Sequence, residues 1–383
     1  MTPITDNARL REFCEAVRHS PYICVDTEFM RETTYWPKLC LIQAASIDGA
    51  AVIDPLVDDI DLEPFLELMR DEAIVKVFHA ARQDVEIFHK LGAMPRPLFD
   101  TQVAAMAAGF GEQIAYGDLM RQLLRVEIDK SSRFTDWARR PLSDAQLDYA
   151  AADVTHLAKA YPRLLDRLEK SGRLAWVEEE MAQLSDPAAY DTDPEKAWRR
   201  LKPRKFIPRY LAAFKAAAAF RERAAQERDL PRGRILKDEA MDEIASQLPL
   251  SVEALGGLRS VPKGFGTGRL GPELIEALRE ALRDPESYAP VLEKPAPPPQ
   301  NAGAVVELLK VLLKARAEDA GVASKLIATV PDLEKIAADD AAGVGALQGW
   351  RREVFGADAL RLKRGELALV LDGSRVRVRE LAA

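Results

Sequence analysis

Between Tyr22 and Phe29 the chain reads Tyr-Ile-Cys-Val-Asp-Thr-Glu-Phe, a run whose β-branched and aromatic residues predict a strand. Side chains alternate along a strand, so Ile23, Val25, Thr27 and Phe29 share one face while Cys24, Asp26 and Glu28 share the other. Two carboxylates then sit on one half-buried face. They repel each other and resist desolvation, so the arrangement is costly unless a cation lies between them. Magnesium, a hard cation that prefers carboxylate oxygen, is the natural candidate. A solvated outer face would accommodate the same pair without any ion, so the two acids have to be weighed with the rest of the chain.

At 383 residues the chain exceeds one ordinary core and predicts about two to three domains. Its three cysteines, Cys14, Cys24 and Cys40, have no CxxC spacing, which predicts a reducing compartment and no disulfide framework. The first residues lack a basic stretch followed by an apolar one, and no apolar run approaches membrane-spanning length, so a cytoplasmic protein with no membrane partner is expected. The net charge of -7 is uneven, with 21 Lys and Arg against 32 Asp and Glu over residues 1–190, and a slight basic excess beyond them. An acidic first half argues against a broad phosphate-binding surface there, yet it suits a cation-loaded site served by basic appendages.

In chain order, a helix over residues 5–18 precedes the acidic strand, and strands at 38–46 and 50–53 complete an antiparallel meander. Alternating helix and strand segments follow to about residue 124. Ser143-Asp-Ala-Gln146 is a capping-box pattern that starts a helix. At 100° per residue, Leu147, Ala151, Val154 and Ala158 form its apolar stripe, with Tyr149 and Asp153 together beyond the edge. They can look into a cleft; an ordinary amphipathic helix gives the same pattern. The fold class expected is an α/β catalytic domain, a mixed sheet flanked by helices, over residues 1–184, followed by two small all-α domains. These span 195–284 and 303–378, joined by a stiff proline-rich linker over 285–302 and ending in a short tail from Leu367 to Val378.

A third acidic position, Asp84, falls where a strand gives way to a helix in His79-Ala-Ala-Arg-Gln-Asp-Val-Glu. A first-turn aspartate can simply complement the helix dipole. Taken together, Asp26-x-Glu28, Asp84 and Tyr149-x-x-x-Asp153 resemble the three motifs of the DEDD exonuclease superfamily in its tyrosine-bearing branch. Leu41-Ile-Gln43, Phe99-Asp-Thr-Gln102, Asp129-Lys-Ser131, Asp136-Trp137, Arg140-Pro-Leu142 and Asp148-Tyr-Ala-Ala-Ala-Asp153 are similar in kind and order to the ribonuclease D family, and the helical remainder resembles that family's paired HRDC domains.

The resemblance implies a ribonuclease-H-like fold and two divalent metal ions, Mg2+ or Mn2+, held by Asp26, Glu28, Asp84 and Asp153, with Tyr149 beside the attacking water. It also implies a metal-dependent 3′ to 5′ exoribonuclease that trims transfer RNA precursors and other small structured RNAs to release nucleoside 5′-monophosphates, acting as a monomer. A DNA exonuclease on the same fold, or a silent RNA-binding scaffold, are the alternatives. Four carboxylates suit the chemistry, because two metals can activate water, neutralise phosphoryl charge and assist a leaving alkoxide. Candidate substrate contacts are Phe29, Lys130 and Arg140 near the acids, and Lys202, Arg204 and Lys205 in the acid-free basic run that opens the first helical unit. Core packing accounts equally for Phe29, and solvation for the basic residues. The four histidines lack zinc-site spacing.

Overall fold

The structure is a computed structural model, and it describes residues 1–381 apart from Lys130, Phe134 and 293–301. Five strands form the main sheet: β1 (Tyr22–Met30), β2 (Lys38–Ala45), β3 (Ala50–Ile53), β4 (Val75–Phe78) and β5 (Leu98–Asp100), in the order β3-β2-β1-β4-β5. β2 and β3 are antiparallel, with Ile42 opposite Ile53, whereas β4 runs parallel to both β1 and β5. This is the mixed sheet that a meander followed by helix-strand units predicts.

Helices α1 (Asn7–Val17), α2 (Glu63–Arg70), α3 (Arg82–Lys90), α4 (Thr101–Ala107), α5 (Tyr116–Leu124), α6 (Asp144–Lys170) and α7 (Leu174–Leu184) surround it. Tyr22, Cys24, Ala45, Val77 and Phe99 belong to a buried cluster shared with Ala104, Leu119, Val154 and Leu157, so the sheet face that carries Cys24 lies against α4, α5 and α6. Asp26 and Glu28 continue that face toward the end of β1. Central position in the sheet thus puts the acids where strands end and flanking helices begin.

The described chain groups into two compact units. One contains residues 1–28, 41–189 and the segment from Ala302 onward; the other contains Phe29–Cys40 and residues 190–292. In the first unit the C-terminal helices share one buried cluster with α4 to α7, including Leu309, Leu312, Leu333, Ile336 and Phe355. The tail folds as an antiparallel pair, β6 (Leu367–Asp372) with β7 (Arg375–Glu380). The second unit is helical around α8 (Pro208–Glu227), with its own core of Leu211, Phe214, Met241, Ile244, Leu274 and Leu278. Most of the proline-rich stretch lies outside the described residues, and Pro285–Tyr288 makes one helical turn. Among the described residues no helix is long and apolar enough to cross a membrane.

Candidate active site

Three elements deliver the acids. β1 carries Asp26 and Glu28, two residues apart and therefore on one face. α6 starts where its capping box predicts: the Ser143 hydroxyl accepts from the Gln146 amide at 3.3 Å, and Gln146 Oε1 accepts from the Ser143 amide at 3.0 Å. That start fixes the azimuth of Tyr149 and Asp153, one turn apart. α3 contributes Asp84 in its first turn. The turn ahead of α3 holds Ala80 in the left-handed region at φ 62°, and Asp100 anchors it, accepting from the Ala80 and Ala81 amides at 3.0 and 2.8 Å. The same carboxylate caps α4 by accepting from the Gln102 amide at 2.8 Å.

Carboxylate oxygens of Asp26, Glu28 and Asp153 lie within 4.8 Å of one another. Asp84 stands beside this triple, with the Thr27 hydroxyl donating to its Oδ1 at 2.5 Å. All four acids resist ionisation. Burial pushes Asp26 up to about 6. Burial followed by the charge of Asp26 pushes Asp153 up to about 8. Glu28 is pushed up to about 9 by burial and then by Asp26, Asp153 and Asp84. Asp84 is held well above the usual carboxylate range by burial and the charge of Asp26. Partly to fully buried carboxylates converging without a histidine or cysteine among them form an all-oxygen donor set, which fits hard divalent cations and does not fit a soft metal.

Tyr149 is hydrogen-bonded to Asp153, and burial, reinforced by the charges of Asp153 and Glu28, raises its phenol well above the ordinary value. Its ring lies 6.1 Å from that of Trp137. A cavity of about 390 Å³ opens beside Asp26, Tyr149 and Asp153 and reaches His79, Gln102 and Tyr116. His79 is fixed there, with Nε2 donating to the Ile114 carbonyl at 3.1 Å.

Several residues at the site escape a sequence reading. Arg133 lines the same cavity, and its charge favours ionised Glu28 and Asp153. Nothing in the sequence distinguishes it from the other basic residues of its loop. Thr27 and Asp100 act through hydrogen bonds; for Asp100, an aspartate just before a helical segment is the available signal.

The expected substrate contacts fare differently. Lys130 lies outside the described residues. Arg140 is clamped to Asp54, with Nε to Oδ2 at 2.6 Å and Nη2 to Oδ1 at 2.8 Å, and it also donates to the Trp137 carbonyl at 2.7 Å. A bidentate pair with a buried carboxylate gives Arg140 a structural part instead of an open phosphate contact. Phe29 is half-buried in β1 and falls in the other unit. Lys202, Arg204 and Lys205 are exposed in that unit, with Arg204 3.7 Å from Asp242 and Lys205 5.7 Å from the Tyr210 ring centre.

Comparison with known proteins gives concordant findings. Residues 1–169 match the family model of a 3′-5′ exonuclease, and residues 211–278 match that of the HRDC domain. The chain is 51% identical over 383 residues to a ribonuclease D of Granulibacter bethesdensis, covering 98% of this chain and 96% of the relative. It is 52% identical to a ribonuclease D of Nitrobacter hamburgensis, covering 98% of each. The crystal structure of Escherichia coli RNase D, described as an exoribonuclease involved in structured RNA processing, superposes with a TM-score of 0.80 at 29% identity, covering 95% of this chain and 99% of that one.

Proposed function

Since the chain belongs to the ribonuclease D family of 3′ to 5′ exoribonucleases, we propose that it hydrolyses the terminal phosphodiester of RNA with divalent metal ions held by Asp26, Glu28, Asp84 and Asp153, and that its substrates include the 3′ extensions of transfer RNA precursors. The observation that carries this reading is the convergence of Asp26, Glu28 and Asp153 within 4.8 Å, with Asp84 and Tyr149 alongside.

When bound, the ions supply Lewis-acid activation of water and neutralisation of charge on the phosphoryl oxygens. The protein's own groups do the rest. Tyr149, kept protonated, is a poor base, so it orients the attacking water through its hydroxyl while Asp153 holds that hydroxyl in place. Arg133, at the rim of the same cavity, offers a cation to the phosphate being cleaved. Thr27 and Asp100 keep Asp84 in register by holding its side chain and the turn that precedes its helix. Water attacks phosphorus, losing a proton to solvent, and the bond to the upstream 3′ oxygen breaks, with that oxygen taking up a proton to leave as a hydroxyl. The phosphate therefore leaves on the released nucleoside, as a 5′-monophosphate.

The test uses a 5′-labelled transfer RNA with a 3′ extension and a sequence-matched single-stranded DNA, each with magnesium, manganese or chelator, for wild type and Asp26→Ala. The reading expects a ladder shortening from the RNA 3′ end that disappears with chelator and in the variant. Trimming that persists in either case removes the metal assignment, and faster trimming of DNA transfers the function to DNA ends.

A further inference from the structure

The C-terminal ribbon has two unlike faces, and the strand register separates them. Residues directly opposite in an antiparallel pair share a face. Leu367, Leu369 and Leu371 of β6 lie opposite Glu380, Val378 and Val376 of β7; Ala368, Val370 and Asp372 lie opposite Arg379, Arg377 and Arg375. Leu367 is buried, and Leu369 and Val378 pack on the large core of the first unit, so the first face is the anchored one. The other face carries three exposed arginines in a row, at every second residue of β7.

The acids nearby offset that row only in part. Glu380 accepts from Arg361 at 2.8 Å, and Glu366 accepts from Arg364 and Arg361. Asp372 lies 3.6 Å from Arg377, an exposed pair of little strength. Glu318 and Asp319 border a cleft with Arg375 and Arg377 on one flank, and Asp319 lies 3.5 Å from Arg316. Arg375 and Arg379 make no side-chain hydrogen bond or ion pair among the described residues. Across the strand Arg379 and Arg377 face Ala368 and Val370, short apolar side chains that leave their guanidinium groups in water, while Arg375 faces Asp372.

Residues two apart on a strand are about 6.8 Å apart, a repeat on the scale of one nucleotide step along a backbone. We infer that the outer face of the β6–β7 ribbon is an RNA-backbone contact, in which Arg375, Arg377 and Arg379 engage successive phosphates of a structured substrate. The inference rests on the exoribonuclease reading for its choice of partner. Guanidinium forks match phosphate oxygens and carry no sequence preference, as suits an enzyme meeting many RNAs. Leu371, on the other face but 78% exposed at the tip of the ribbon beside the hairpin turn, makes an anionic membrane the competing occupant.

The test measures binding of the full chain to a structured RNA with a 3′ extension by fluorescence anisotropy in chelator, across a series of salt concentrations. It compares wild type with a triple variant, Arg375→Ala with Arg377→Ala and Arg379→Ala, and with the corresponding triple lysine variant. Circular dichroism and melting temperature establish that each variant is folded. Each phosphate contact contributes roughly 0.7 to 0.9 to the slope of log affinity against log salt, so the alanine variant should lose about two to three units of slope and at least tenfold in affinity at low salt, and the lysine variant should keep most of both. An unchanged slope in a folded alanine variant overturns the inference. So does an unchanged slope with lost sedimentation on phosphatidylserine-containing vesicles, which would assign the face to a membrane. Metal-dependent trimming by wild type is scored separately, so a failed active-site reading shows there and not in the binding slopes.

Discussion

Single side chains divide by whether their role is written in local pattern or in hydrogen bonds made across the fold. Asp26 and Glu28 were conspicuous as two costly carboxylates on one strand face, whereas Asp84, Tyr149 and Asp153 were legible only through the resemblance to the DEDD motifs, each having an ordinary helical explanation by itself. Arg133 and Thr27 were not, since a loop arginine and a strand threonine are unremarkable until the fold places them beside the acids. Tyr149→Phe should lower kcat by roughly 100- to 1000-fold, the range for losing one positioned hydrogen-bond donor, while calorimetric titration with manganese stays near wild type; a loss of metal affinity would make the phenol a metal-site residue instead. Lys76 offers a test away from the chemistry. It is fully buried on β4, and its ammonium donates to the carbonyls of Asp71, Ile74 and Arg96, the second at 2.7 Å. Burial, outweighing the charges of Asp71 and Glu72, lowers it to about 8 from the ordinary value of 10.5. Below the lower value both folded and unfolded chains hold the proton; between the two only the unfolded chain does, so stability rises with pH across that window. Relative to Lys76→Met, the wild type should gain up to about 2 kcal/mol between pH 7.5 and 9.5, and a constant difference in denaturant unfolding would disprove the shift.

Elements were legible where their signals are local. The α6 capping box and the β2–β3 turn fall where propensity predicts. The path of residues 29–40 had no such signal. Its ends fall in the strands expected at 22–29 and 38–46, yet in the structure the segment belongs to the helical unit, where Tyr35 and Trp36 amides both donate to Asp229 Oδ1, at 3.1 and 2.9 Å. The Tyr35 hydroxyl donates to Glu222, a fully buried acid on α8 that also receives Arg200 at 2.6 Å and two bonds from Arg232 at 2.6 Å. The partners are some 190 residues from Tyr35 in sequence, beyond any pattern that periodicity can detect. Glu222→Gln removes the negative charge that Arg200 and Arg232 share. Because both arginines are partly exposed, water offsets part of the loss, and the cost should be about 2–3 kcal/mol. Urea unfolding of the full chain measures it; a change below about 0.5 kcal/mol would make the cluster a surface arrangement.

At the scale of the molecule, sequence similarity divides the chain into an exonuclease part and an appended helical part, whereas packing joins residues from Ala302 onward to α4, α6 and α7. The seam is close. Gly109, at φ 82°, sits so near the Gly321 carbonyl that an added Cβ would approach it to 2.7 Å, and Arg173 donates to the Ala107 carbonyl at 2.8 Å and to that of Gly321 at 3.1 Å. Trp176 of α7 stacks on Trp350 with ring centres 4.1 Å apart and planes 5° from parallel, and Arg351 pairs with Glu179 at 2.9 Å. Such a seam makes the C-terminal segment part of the fold that holds α6, and with it Tyr149 and Asp153. Trp350→Ala removes a stacked, largely buried ring far in sequence from the acids of the site, at a cost of about 3 kcal/mol. Roughly 2–4 °C per kcal/mol in a domain of this size means that heat inactivation of 3′ trimming should begin about 6–12 °C lower in the variant, with manganese-dependent activity at low temperature retained. If the inactivation temperature stays put while only a separate calorimetric transition moves, the C-terminal helices melt independently and the shared core does not support the active site.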